Sequence, residues 1–241
     1  MDQVDESDGS VFYKCCQFVE TSLRDRDESH GFEHALAVYN NCKEIWFKEK
    51  ANCRFYSILD KNGVLTLLNI RNPTFTPWFF ITVSSIMHDV CDHKYVEEEE
   101  QSLVTRMNEF ILGDLCFGCL DAAQIVTNII ENVSFSKEKR GLLKEMPSDV
   151  MEVRNIVSDA DKLEAIGEVG LSRCIAYQRE ISPNDSEEQV IEKVMEHCDE
   201  KLLKLIPEYI RTPEGKKIGL PFHQFIAEWR QNQAASYLAT P

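Results

Sequence analysis

Residues 76–91, TPWFFITVSSIMHDVC, decide how this chain folds. Thr76 is an N-cap residue and Pro77 occupies the first helical position, where its missing N–H costs nothing. From Trp78 onward the residues are apolar nearly all round a helix, a pattern that belongs to a helix buried on every side. The stretch therefore predicts a central buried helix over about 78–91. Its longest apolar run, Trp78 to Val83 with Thr82 inside it, is far too short to span a bilayer.

Outward from this helix, other helical patterns follow one another. Ala35, Val38, Tyr39, Cys42, Ile45 and Trp46 trace one helical face. Val11 to Leu23 reads as a helix, and residues 1–10 as a frayed tail. Asn62-Gly63 and Asn72-Pro73 are turn signals. Leu65 to Ile70 between them reads equally as a short strand or a helical turn. Glu97 to Glu100 places four carboxylates in the first turn of a helix, where the macrodipole favours them. Further helices are expected at about 118–133, 148–166, 168–181, 186–205 and 220–238. Asp185 with Glu188, and Ser186 with Gln189, both offer capping boxes for the fourth of these. The expected fold class is all-α, with residues 183–241 a helical extension on the same core.

Composition narrows the function. Among 241 residues, 26 Lys and Arg face 41 Asp and Glu, for a net charge of −15. That charge repels nucleic acid polymers and anionic membranes, so neither is an expected partner. Only 10 Gly and 8 Pro argue against a loop-rich β-sandwich. MDQVDESDGS (1–10) carries neither the basic nor the apolar segment of a signal peptide. Nine cysteines, an odd number without an export signal, read as free thiols in a reducing, cytoplasmic setting. Cys116 and Cys119 form a single C-x-x-C, which lacks the second pair that a zinc ribbon needs.

The informative positions are ionisable residues inside apolar pattern. His88 and Asp89 end the most buried helix. His34 borders the apolar face of its own helix, and Asp159 and Asp161 interrupt a third. A buried carboxylate is costly unless it is paired, hydrogen-bonded or bound to a metal. Taken singly, a buried His is ordinarily a hydrogen-bonded core residue and an Asp at a helix end a cap. Together they supply two imidazoles and two carboxylates, enough for one divalent ion.

SHGFEHALAVYNN (29–41), SSIMHDVCDHKY (84–95) and VSDADKLEAIGEVGLSR (157–173) resemble the H…HD…D signature of the HD-domain metal-dependent phosphohydrolases. The likeness is greatest to the small, stand-alone bacterial-type branch, in which a stretch similar to IIENVSF (129–135) precedes the last motif. It covers about residues 12–181, and a domain of 11–182 is expected from it. The resemblance implies a helical bundle with a central metal pocket. It assigns His34, His88, Asp89 and Asp161 as ligands of one divalent ion (Mn, Mg, Co, Ni, Fe or Zn), leaving Asp159 a supporting role.

His30, four residues before His34, lies on the same helical side and should line the pocket. By the same resemblance Arg173 meets the substrate, with Glu131 and Ser134 weaker candidates to line the site, while Lys162, next to the last ligand, should point elsewhere on its helix. Asp92 stands where many relatives carry a catalytic Glu and, one methylene shorter, orients water or shuttles a proton. Lys94 reads equally as a residue that stabilises the phosphoryl oxygens or a leaving phosphate and as a solvent-exposed lysine just past a helix end. The implied reaction is attack of metal-activated water on a small phosphorylated metabolite, foremost a nucleotide, as pyrophosphohydrolase or nucleotidase, in a monomer or homodimer. The competing reading is a catalytically silent HD domain that binds a nucleotide or a protein as a regulatory module. Silent domains often lose a ligand, and all four are present here.

Overall fold

The computed structural model describes residues 6–22, 31–51, 63–90 and 97–239. Side chains are described within these ranges except at 6–8, 51, 97–101 and 236–239. Among the described residues there are eleven α-helices and no strand. The chain divides into two compact units, 1–158 and 159–241, and the division falls inside one unbroken helix.

In the first unit, α1 (Glu6–Ser22) and α2 (Phe32–Ala51) precede α3 (Val64–Arg71) and α4 (Pro77–Met87). Helix α1 begins five residues before the expected Val11 and buries Val11, Cys15, Cys16 and Val19 along one stripe. Helix α4 is the central helix: every residue from Phe79 to Met87 is buried, and α1, α2 and α6 pack around it. Thr76 Oγ1 accepts from Phe79 N at 3.0 Å, so the Thr-Pro start is as expected. The helix stops at Met87, four residues short of the expected Cys91. His88 sits at its C-cap, and Val90 N turns back to Met87 O.

The open choice at 65–70 resolves as helix α3. Its N-cap, Gly63, has no side chain to offer. Asp149 Oδ2, 84 residues away, instead accepts the second-position N–H of Leu65 at 2.7 Å. Helix α5 (Glu97–Phe110) runs into a π-helical turn (Ile111–Leu115), followed by α6 (Leu120–Glu131), α7 (Phe135–Lys139) and α8 (Ser148–Glu164).

The second unit holds α9 (Gly167–Ile181), α10 (Glu187–His197), two π-helical segments (Cys198–Leu202 and Leu205–Tyr209) and α11 (Pro213–Ala239). Of the two possible caps for α10, Ser186 with Gln189 forms the capping box, while Asp185 pairs with Lys193 at 2.6 Å. Helix α11 begins seven residues before the expected 220 and contains Pro221. Thr212 repeats the device of Thr76: its Oγ1 accepts from Gly215 N at 3.1 Å, with Pro213 at the first helical position. A Cβ on Gly215 would lie 2.5 Å from that hydroxyl, so the cap requires glycine there.

Candidate metal centre

Two helices of the first unit bring the histidines together. Trp78, at the start of α4, stacks on Trp46 with ring centroids 6.2 Å apart and meets Phe47 at 5.8 Å, both in the second half of α2. The helices therefore run antiparallel, and the start of α2 meets the end of α4. There the His34 and His88 rings lie edge to face with centroids 5.3 Å apart. Both residues are buried.

His88 Nδ1 lies 2.8 Å from the carbonyl oxygen of Ser85, one of the last four carbonyls of α4. A carbonyl only accepts, so Nδ1 carries a proton, and in the neutral imidazole Nε2 keeps its lone pair. One hydrogen bond thus finishes the helix and sets the tautomer a metal ligand needs. Asp89, the next residue, sets Oδ1 3.5 Å from His88 Nε2 and Oδ2 3.5 Å from His34 Nε2.

Asp161 rides three residues beyond the division of the chain, on α8, whose preceding eleven residues belong to the first unit. One donor atom each from His34, His88 and Asp161 lie within 4.8 Å of one another. Two imidazoles, one in a fixed tautomer, and a half-buried carboxylate fit a divalent transition ion, and Asp89 touches both imidazoles.

Asp159 has a different role. It is fully buried, accepts from Arg211 N at 3.0 Å and from Thr212 N at 2.7 Å, and so holds the segment that opens α11. Burial pushes its carboxyl up, while Lys162 and these donors pull it down. Lys162 is buried in the same unit.

The other predicted residues that the structure describes lie in ion pairs or at a helix start. Glu131, at the end of α6, pairs with Lys144. Arg173 Nη1 meets Glu164 Oε2 at 3.3 Å. Ser134 is exposed at the start of α7 and makes no cap bond. His30, Asp92 and Lys94 lie outside the described residues.

Sequence reasoning missed Arg154. It is among the largest fully buried side chains, with Nε donating to Asn132 O at 2.7 Å and Nη2 to Glu138 Oε2 at 3.1 Å. Ser158 Oγ donates to Val133 O at 3.0 Å. The signal was the IIENVSF stretch itself, whose Asn132 and Val133 carbonyls receive these bonds.

No protein-family profile and no curated protein sequence matches the chain. Solved structures do. A protein from Lactobacillus plantarum aligns at 19% identity and TM-score 0.66, over 95% of this chain and 98% of that one. YpgQ of Bacillus subtilis aligns at 18% identity and TM-score 0.62, over 97% of this chain and 100% of its own. YpgQ in complex with ADP aligns at 18% and 0.61, over 95% and 96%. These similarities establish a shared fold, all-helical here.

Proposed function

We propose that this chain is an HD-domain, divalent-metal-dependent phosphohydrolase acting on a small phosphorylated metabolite, foremost a nucleotide. The observation that carries the proposal is the convergence of His34, His88 and Asp161 within 4.8 Å, with His88 held in the ligating tautomer. The ADP complex of YpgQ, a protein of similar fold, supports a nucleotide as the ligand class.

In this reading His34, His88, Asp89 and Asp161 hold the ion. A bound divalent ion supplies Lewis acidity, lowering the pKa of water and offsetting charge on a phosphoryl group. The chain's own residues do the rest. Asp92 takes up or orients the proton of the attacking water, and Lys94 balances charge on the phosphoryl oxygens. His30, Glu131 and Arg173 meet the substrate, the last two already engaged by one ion pair each. The hydrolase domain is residues 11–182, and 183–241 is its helical extension.

The test is release of phosphate and pyrophosphate from a panel of nucleoside mono- and triphosphates. Metal-stripped protein is assayed with Mn, Mg, Co or Ni added back, beside the His88→Ala/Asp89→Ala double variant. Metal-dependent release lost in the double variant is the expected result, and the product separates pyrophosphohydrolase from nucleotidase. Release that is independent of metal, or unchanged in the double variant, overturns the reading. Bound metal without turnover of any substrate in the panel counts against a nucleotide.

A further inference from the structure

Arg154, Ser158 and Asp161 stand at offsets 0, 4 and 7 on α8, a single stripe of one helix. The first two are fully buried and bonded to consecutive carbonyls, those of Asn132 and Val133. The loop that provides these carbonyls is itself held. Asn132 Nδ2 donates to Asn128 O at 2.7 Å, and its Oδ1 accepts from Lys144 N at 2.8 Å. Glu138, its side chain 4% exposed, neutralises the Arg154 guanidinium at 3.1 Å. Arg154 Nη1 also donates to Asn155 Oδ1 at 3.2 Å.

Two anchors one turn apart fix both the rotation and the translation of a helix. A carboxylate about 5 Å from the helix axis moves about 0.9 Å when the helix turns by about 10°. Metal–ligand distances tolerate deviations of only about 0.2 Å. From this we infer that Arg154 and Ser158, with Glu138 as charge partner, are positioning residues: they set the rotation of α8 that aims the Asp161 carboxylate at His34 and His88. The inference rests on the metal-site reading above. None of the three residues ligates an ion or touches substrate; their effect passes through Asp161.

The test uses the full-length protein loaded with Co²⁺, read by its visible absorption bands and by Co²⁺ affinity below the melting temperature. Arg154→Met/Glu138→Gln removes the pair without leaving a buried unpaired charge, and Ser158→Ala removes the second anchor. Val190→Ala, a buried position on α10, serves as a control of comparable destabilisation. The expected result is about tenfold weaker Co²⁺ binding and shifted bands in both clamp variants. The control keeps wild-type bands and affinity, and Arg154→Lys, which keeps the charge, recovers much of the loss. Clamp variants that lose stability but keep wild-type bands and affinity overturn the inference while the metal site stands. Wild-type protein that takes up no more Co²⁺ than His88→Ala overturns both.

Discussion

Two aspartates two residues apart on α8 do different work, and the difference is measurable. Asp159 holds three hydrogen bonds from the backbone N–H groups of Arg211 and Thr212, with Arg211 N reaching both carboxylate oxygens. Replacing it with Ala leaves those donors, the Thr212 N–H in a buried position, without their acceptor. Asp159→Ala is expected to lose about 2–4 kcal/mol of stability in urea denaturation. Asp161 faces the two histidines instead. Asp161→Ala is expected to abolish stoichiometric metal in elemental analysis, while metal-free stability changes by about 1 kcal/mol or less. The reverse pattern, metal lost in Asp159→Ala and retained in Asp161→Ala, would exchange the two roles.

Among the elements, α11 carries an evident fault in Pro221, whose ring removes one helical hydrogen bond at an exposed position. Pro221→Ala is expected to stabilise the protein by about 1–3 kcal/mol, seen as a higher urea midpoint. An unchanged or lower midpoint would mean that Pro221 is needed for packing. Helix α3 presents the opposite case. It is eight residues long and lacks a local cap, and Asp149 supplies one from α8. Asp149→Ala is expected to cost about 1–2 kcal/mol and to speed amide exchange in 64–71, a change that hydrogen–deuterium exchange localises. The capping box of α10 is local and exposed, and its loss in Ser186→Ala should cost about 1 kcal/mol without affecting α3.

Across the molecule as a whole, the thiols couple stability to alkaline pH. Burial pushes Cys16 up to about 11 and both Cys116 and Cys198 up to about 12; Cys15 is raised further. In the unfolded chain such thiols ionise near the ordinary thiol value of 9.0. A raised folded pKa means that the folded state keeps protons that the unfolded state sheds. The contribution to stability is therefore full below pH 9 and is lost as pH climbs toward 12. The urea midpoint is expected to hold level from pH 7 to about 8.5 and to fall above 9. Native protein at pH 8 should also react slowly with a thiol reagent at buried Cys15, Cys16, Cys116 and Cys198, and fast once unfolded. Rapid labelling of these four in the native state would contradict their burial.

Short-range pattern determined the all-α class, the central helix from Trp78 onward and the Thr76 cap. These depend on residues within a turn or two of one another, so a single stretch of sequence contains the whole interaction. The same pattern ran the central helix to Cys91 rather than Met87 and left two capping boxes open, between which the structure chose Ser186. His34, His88 and Asp161 were legible as polar residues set into apolar helical pattern, and the resemblance of three motifs joined them into one set. Only the tertiary structure settled α3 as a helix, because its cap comes from Asp149, 84 residues away. It also gave Asp159 its place at the start of α11, 52 residues on. The sequence expectation began α11 at 220, whereas the helix begins at Pro213 and runs through Pro221. The cap at Thr212 and the donors held by Asp159 outweigh the penalty of that proline. Arg154 was passed over for a related reason. A charged residue reads as solvated until its partners are known, and Glu138 and the Asn132 carbonyl reach it only when α8 packs against the loop after α6.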